Sequence, residues 1–117
     1  NHWTEWFDRD LVWGTPPVIA VSILEYVVFA PIFEELAFRG LLFAMLRRRF
    51  EFLPAALIST SLFALAHGYS LIGFISVFWS GFLWAWIYER TGSLIPSMVA
   101  HAMNNLLVCL TVMALLR

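Results

Sequence analysis

Two long stretches without any charged side chain restrict the fold more than any other feature of this sequence. No Asp, Glu, Lys or Arg occurs between Glu51 and Glu89, or between Arg90 and Arg117. The chain of 117 residues is 62% hydrophobic and 13% charged, with a mean hydropathy of +0.82, whereas soluble proteins are about 45–50% apolar and about 25% charged. One soluble core of this size cannot bury so much apolar surface, and disordered chains are polar. The pattern predicts an integral membrane protein.

The uncharged stretches predict three helices. A membrane-crossing helix needs about 20 mainly apolar residues, so the second stretch predicts one helix over 94–116. The first stretch is too long for one helix, and the polar break at 67–70 divides it. We therefore expect a transmembrane hairpin of helices over 53–67 and 71–88.

The segment 16–46 comes before this hairpin and contains Pro31 at its middle. As one helix it would be about 45 Å long, against a hydrocarbon core of about 30 Å, and Pro31 should kink or break it. Two half-helices are the alternative, but a single kinked crossing agrees better with the orientation of the hairpin. The predicted fold class is all-α: a polytopic transmembrane helix bundle with about four membrane-crossing helices, the first of them kinked.

Arginines and aromatic residues orient this bundle. Arg47–Arg49 and Arg90 flank the hairpin on one side, which the positive-inside rule makes cytoplasmic. Residues 1–15 are acidic and aromatic, which predicts an interfacial lead-in before a core over 16–117. The aromatic residues that predict this interfacial belt are Trp3, Trp6, Phe7 and Trp13. The chain begins with Asn and shows no signal peptide, so we expect it to be the core of a longer protein.

The net charge of −1 gives no electrostatic reason to expect nucleic acid as a partner. Cys109 is the only cysteine, which excludes an internal disulfide. Phosphate-binding glycine loops and the HExxH and GxSxG motifs are absent from the sequence.

Ionisable side chains at bilayer depth cost at least about 2.5–3.5 kcal/mol each and are functional candidates by default. Glu35 and Arg39 are spaced i, i+4 with the acid first, the favourable order for an ion pair. Glu34 lies about 100° further round the helix and has no local partner, so it is a candidate general base. The residues at such depth are Glu25, Glu34, Glu35, Arg39, His67 and His101.

Two histidines are expected to meet Glu34. Counted from the arginine-rich face, His67 and His101 lie at depths similar to that of Glu34, close enough to converge on packed helices. Asn105 and Cys109 follow His101 at i+4 spacing, with Ser97 one step before, so a polar seam should face the bundle interior. Hydrogen bonding between helices explains such a seam equally well. Glu25 has no assigned role. Cys109 lies too far from His101 to act as a nucleophile that this histidine activates.

Three motifs occur in order along these helices. Glu34-Glu35-Leu-Ala-Phe-Arg39 fits EExxxR, Phe63-Ala-Leu-Ala-His67 fits FxxxH, and His101-Ala-Met-Asn-Asn105 fits HxxxN. Over roughly residues 25–116 the chain resembles the CPBP family of CAAX prenyl proteases and bacteriocin-processing or immunity proteins, also called the Abi domain. The resemblance implies a multi-pass intramembrane endopeptidase of a prokaryotic cell membrane, acting on a membrane-tethered, CAAX-type substrate.

The resemblance also implies roles for the motif residues. Glu34 with His67 would activate the hydrolytic water, and His101 with Asn105 would stabilise the oxyanion. Glu35 and Arg39 would hold the site together, and Phe63 would pack beneath His67.

Two questions stay open at this point. A divalent metal such as Zn²⁺ would have Glu34, His67 and His101 as its ligands, whereas without a metal Glu34 and His67 would polarise water directly. The rival functions are a non-catalytic immunity factor or scaffold, and a proton pathway.

Overall fold

The computed structural model describes residues 9–117. Its five helices are α1 (Arg9–Trp13), α2 (Pro16–Arg47), α3 (Phe52–Leu65), α4 (Leu71–Thr91) and α5 (Leu94–Leu116). The described part of the chain is entirely helical, as predicted. Trp3, Trp6 and Phe7 of the predicted aromatic belt lie outside the described residues.

Three of the helices, α2, α4 and α5, are long and apolar enough to cross a membrane. Helix α3 is apolar but has only 14 residues, which span about 21 Å and do not cross a hydrocarbon core of about 30 Å at right angles. The helices of the predicted hairpin and the final helix are confirmed to within three residues at each boundary, and α3 is too short to be counted among the crossing helices. The chain is an integral membrane protein built as a helix bundle.

Helix α2 is one continuous element of 32 residues, so the single crossing is confirmed and the two half-helices are not observed. Its winding is irregular, because Glu25–Phe29 and Leu36–Phe43 form π-helical turns. Pro31 follows the first of these turns. Since proline has no backbone N–H, the helix accommodates it by widening rather than by ending.

Small side chains let α3 and α4 approach closely. Ala55 and Ala56 of α3 and Ala85 of α4 are all fully buried, and they pack with Phe43 of α2 in one core cluster. Small residues have this role at helix interfaces in membranes, where van der Waals packing replaces the hydrophobic driving force.

The link from α4 to α5 is set by two adjacent residues. Gly92 ends α4 in the left-handed conformation, at φ 66°, a position that glycine occupies without steric cost. The Ser93 hydroxyl then accepts a hydrogen bond from the Ile95 amide at 3.2 Å and caps the start of α5.

Helix α1 packs against the far end of α5. Leu11 and Val12 are buried against Cys109 and Val112. The Arg117 guanidinium donates to carbonyl oxygens at the end of α1, including that of Val12 at 3.1 Å. Leu11 and Val12 of the predicted lead-in are therefore packed into the bundle, whereas Trp13 of the predicted aromatic belt is 74% exposed. The division of the chain at residue 15 stays a prediction.

An ion pair joins α2 to α4 at the arginine-rich face. The Arg47 guanidinium donates from Nε and Nη2 to the two carboxylate oxygens of Glu89, at 2.9 and 2.8 Å. The end of α2 and the end of α4 therefore lie on the same side of the bundle, which agrees with the orientation predicted from the charges.

Candidate active site

A buried ion pair on α2 forms the base of the site. Glu35 is completely buried and Arg39 is 1% exposed, and Glu35 Oε2 lies 3.5 Å from Arg39 Nη1. The guanidinium lies over the Phe63 ring, 4.4 Å from its centroid, and Nη2 donates to the Gly81 carbonyl. The predicted pair is confirmed, and it joins α2 to α3 and α4.

Gly81 allows this close approach, a feature that the sequence analysis missed. A β-carbon at position 81 would lie 2.7 Å from Phe63 Cδ2 and 3.1 Å from Arg39 Nη2. Both neighbours are held in the buried layer, so neither can move aside cheaply. The packing around Gly81 thus leaves no room for a β-carbon.

We expect Gly81→Ala to destabilise the protein by about 1–3 kcal/mol, the usual cost of overpacking a core. Thermal unfolding in detergent measures the effect. Gly40→Ala is the matched control, because its β-carbon would meet only the flexible Leu94 Cδ1, at 3.2 Å. An equal loss of stability in both variants would contradict this account of Gly81.

His101 is held on two sides by residues from α2 and α4. Its Nδ1 lies 2.8 Å from Glu35 Oε2, and the Trp84 ring stacks on the imidazole at 5.5 Å and 17°. The carboxylate and the stacked ring together fix the imidazole plane. The sequence analysis predicted only Arg39 as a partner of Glu35 and gave no role to Trp84, which belongs to none of the three motifs.

His67 lies just beyond the end of α3, and a contact with the last turn of that helix orients its ring. Its Nδ1 lies 2.7 Å from the Phe63 carbonyl, and the two rings are 4.8 Å apart, so the predicted packing of Phe63 beneath His67 is confirmed. A carbonyl can only accept, so Nδ1 must carry the proton. In the neutral ring the lone pair is then on Nε2, the atom nearer to Glu34.

Glu34 lies between the two histidines. Its Oε1 is 3.6 Å from His67 Nε2 and 3.8 Å from His101 Nε2, so the predicted convergence is confirmed. The Glu34 side chain is 29% exposed, whereas that of Glu35 is fully buried. The two adjacent carboxylates thus lie in different environments: Glu35 is buried in the ion pair, and Glu34 is partly exposed.

Asn105 bonds to the irregular turn of α2. Its Nδ2 donates to the Tyr26 carbonyl at 2.8 Å. The Ala30 amide bonds to the Glu25 carbonyl, five residues back, and Pro31 has no N–H to offer. Asn105 therefore joins α5 to the widened part of α2, and its second N–H is left for another acceptor.

The polar seam predicted on α5 does face the bundle interior, because Ser97, His101 and Cys109 are all buried. Cys109 packs with Val112 and the residues of α1. The interior position of the seam is confirmed, and its use in catalysis stays a prediction.

A cavity of about 550 Å³ opens over these groups. Its walls include Glu34, His67, His101 and Asn105, the four residues given chemical roles by the resemblance. Glu35 and Arg39 lie behind the wall. The remaining polar residues that line the cavity include Glu25, Tyr26, Tyr69, Ser76, Ser80 and Asn104.

One carboxylate and two imidazoles are donors of the kind that Zn²⁺ takes. However, no three His, Cys, Asp or Glu side chains within residues 9–117 are arranged to hold a metal ion. A metal ion held by Glu34, His67 and His101 stays a prediction.

Comparison with known proteins identifies the family. The family model for type II CAAX prenyl endopeptidases, Rce1-like, matches residues 16–107. The chain belongs to this Rce1-like family. All seven motif residues, from Glu34 to Asn105, lie inside the matched region.

A bacterial relative supports this assignment. The chain is 32% identical over 99 residues to the "Putative membrane peptidase YdiL" of Bacillus subtilis strain 168, and the match covers 85% of this chain. It covers 38% of that protein, so the Rce1-like region described here is much shorter than its relative. No solved structure matches the chain.

Proposed function

We propose that this chain forms the core of an intramembrane endopeptidase, which hydrolyses a peptide bond with water activated by Glu34 and His67. The observation that carries the proposal is the position of Glu34, whose Oε1 lies 3.6 Å from His67 Nε2 at the wall of the cavity. This separation is too long for a direct hydrogen bond and suits a bridging water.

The tautomer of His67 orients that water. Because the Phe63 carbonyl holds the proton on Nδ1, Nε2 and the Glu34 carboxylate are both acceptors. A water that donates one hydrogen to each directs its lone pairs away from them, toward the cavity. Attack on a peptide carbonyl there releases a proton to this pair, which returns it to the leaving amine.

Donors on α5 support the oxyanion that forms. The His101 imidazole is fixed by Glu35 and Trp84, with Nε2 on the cavity side. Because Nδ1 donates to the Glu35 carboxylate, Nε2 can donate to the oxyanion only when both ring nitrogens carry a proton. Asn105 keeps one amide N–H beyond its bond to the Tyr26 carbonyl. Donors fixed in advance and aimed at the developing charge provide the largest single contribution in many hydrolases.

The family and the bilayer location suggest the substrate class. The Rce1-like description names CAAX prenyl endopeptidases, and α2, α4 and α5 are long and apolar enough to cross a membrane. A membrane-tethered substrate with a prenylated CAAX-type tail fits both features.

Cleavage of a quenched fluorescent CAAX-type peptide by the purified protein in detergent tests the proposal. We expect wild type to cleave it with or without a zinc chelator, and His67→Ala to be slower by about 10²-fold, because it lacks the second proton acceptor.

Two outcomes would contradict this expectation. Loss of wild-type activity in the chelator would favour a metal mechanism with Glu34, His67 and His101 as ligands. Failure of the full-length protein to cleave either this peptide or a broad peptide library would favour a non-catalytic immunity factor or scaffold.

A further inference from the structure

Four polar side chains in the cavity have no part in the chemistry proposed above. We call them the polar wall: Glu25 of α2, Ser76 and Ser80 of α4, and Asn104 of α5. Within residues 9–117 none of these four side chains has a hydrogen-bond or ion-pair partner. By contrast, the Ser59 and Thr111 hydroxyls bond to carbonyls of their own helices, each at 2.8 Å, although the buried Thr60 hydroxyl has no partner within the described residues.

A polar wall of this kind is costly inside a membrane. Polar groups removed from water without a partner cost about 1–3 kcal/mol each by protein mutational data, and an ionisable side chain costs at least as much. Apolar residues at the same four positions would avoid that cost. Glu25 is exposed and the other three side chains are partly exposed at the open cavity, so their partner is water when the cavity is empty and the substrate when it is occupied.

The proposed reaction supplies such a partner. The substrate tail must be extended at the scissile bond, because a helix shields its own carbonyls. An extended tail at bilayer depth has backbone N–H and C=O groups that hydrocarbon cannot satisfy. Hydroxyl and amide side chains can satisfy both kinds of group, since each donates and accepts.

The spacing of the two serines matches an extended peptide. Ser76 and Ser80 are four residues apart on α4, a rise of about 6 Å. Alternate residues of an extended strand repeat about every 6.6–6.8 Å and present their backbone groups to the same side. The two hydroxyls can therefore contact residues i and i+2 of one extended segment.

We propose that the polar wall is a subsite that binds the backbone of the substrate in an extended conformation, with Ser76 and Ser80 bonding to alternate peptide units. Asn104 bonds to the same segment from α5. The Glu25 carboxylate only accepts hydrogen bonds, and it accepts one from a peptide N–H further along the substrate. This inference rests on the proposed peptidase function and extends it to how the substrate is held.

Binding to a non-cleaving variant tests the subsite separately from catalysis. The Kd of the CAAX-type peptide is measured for full-length Glu34→Gln in detergent, alone and combined with Ser76→Ala or Ser80→Ala. We expect each serine variant to weaken binding roughly twofold to tenfold, the effect of one net hydrogen bond. Thr111→Val in the same background is the matched control, because Thr111 lies outside the cavity and bonds to the Leu107 carbonyl.

Ester-substituted peptides show whether the bond is to the backbone. In these peptides one peptide N–H at a time is replaced by oxygen. At the position that contacts Ser80, the ester should bind the Glu34→Gln parent more weakly than the unmodified peptide does. The Glu34→Gln/Ser80→Ala variant has already lost this hydrogen bond, so it should bind the ester and the unmodified peptide equally. Three outcomes would overturn the subsite. The serine variants could have the same Kd as the Thr111 control, the ester and serine effects could be fully additive, or Glu34→Gln could fail to bind the peptide. Tight binding to wild type without cleavage would instead contradict the proposed peptidase function.

Discussion

Glu34→Gln is expected to reduce peptide cleavage by about 10²–10⁴-fold, the contribution of a positioned general base. The amide keeps the shape of the side chain, but its NH₂ group cannot accept a proton from water. Because Glu34 is 29% exposed and faces the cavity, the change leaves the buried Glu35–Arg39 pair intact. The measurement is the initial rate on the quenched fluorescent peptide, with thermal unfolding in parallel.

Glu89→Gln is the matched control for this substitution. Glu89 pairs with Arg47 on the exposed face of the bundle, and exposed ion pairs contribute only about 0–1 kcal/mol. We expect its cleavage rate to equal that of wild type. A Glu34→Gln rate above a tenth of wild type, in a protein that unfolds at the wild-type temperature, would mean that another group activates the water.

Arg39→Met is expected to destabilise the protein by about 3–5 kcal/mol, because it leaves the carboxylate of Glu35 buried without its cation. Glu35 is completely buried, so water cannot replace the guanidinium. The substitution also removes the hydrogen bond to the Gly81 carbonyl and the contact with the Phe63 ring. Thermal unfolding in detergent measures the loss.

The double variant Glu35→Gln/Arg39→Met separates charge from packing. Removing both charges should recover part of the lost stability, because a buried pair costs more to break than to replace. Catalysis should not recover, since Glu35 also holds His101 at Nδ1. A double variant less stable than Arg39→Met alone would show that the charge imbalance is not the cause.

The sequence predicted the parts of this structure that depend on charge and order along the chain. The uncharged stretches defined α4 and α5 closely, because a bilayer requires long apolar helices. The convergence of Glu34, His67 and His101 followed from their similar depths, since helices that cross one membrane share a common depth scale.

Contacts that depend on helix rotation could not be predicted in this way. Trp84 and Gly81 lie on α4, which contains no charged residue before Glu89. Ser76 and Ser80 mark the face that also carries Trp84, four residues further on, but two serines on an apolar helix are equally explained by hydrogen bonding between helices. The Glu35–His101 bond was missed for a related reason, because an i, i+4 pair already accounted for Glu35.

The irregular winding of α2 has a consequence for how this family can vary in length. The ordinary α-helical stretch Ala30–Glu35 lies between the two π-helical stretches, Glu25–Phe29 and Leu36–Phe43. A wide turn can lose one residue by becoming an ordinary turn, or absorb one more, without rotating its neighbours. Insertions and deletions among relatives should therefore concentrate in Glu25–Phe29. A one-residue slip within Ala30–Glu35 would exchange the glutamate that faces the cavity with the one that faces arginine, and one between Glu35 and Arg39 would break their i, i+4 pair.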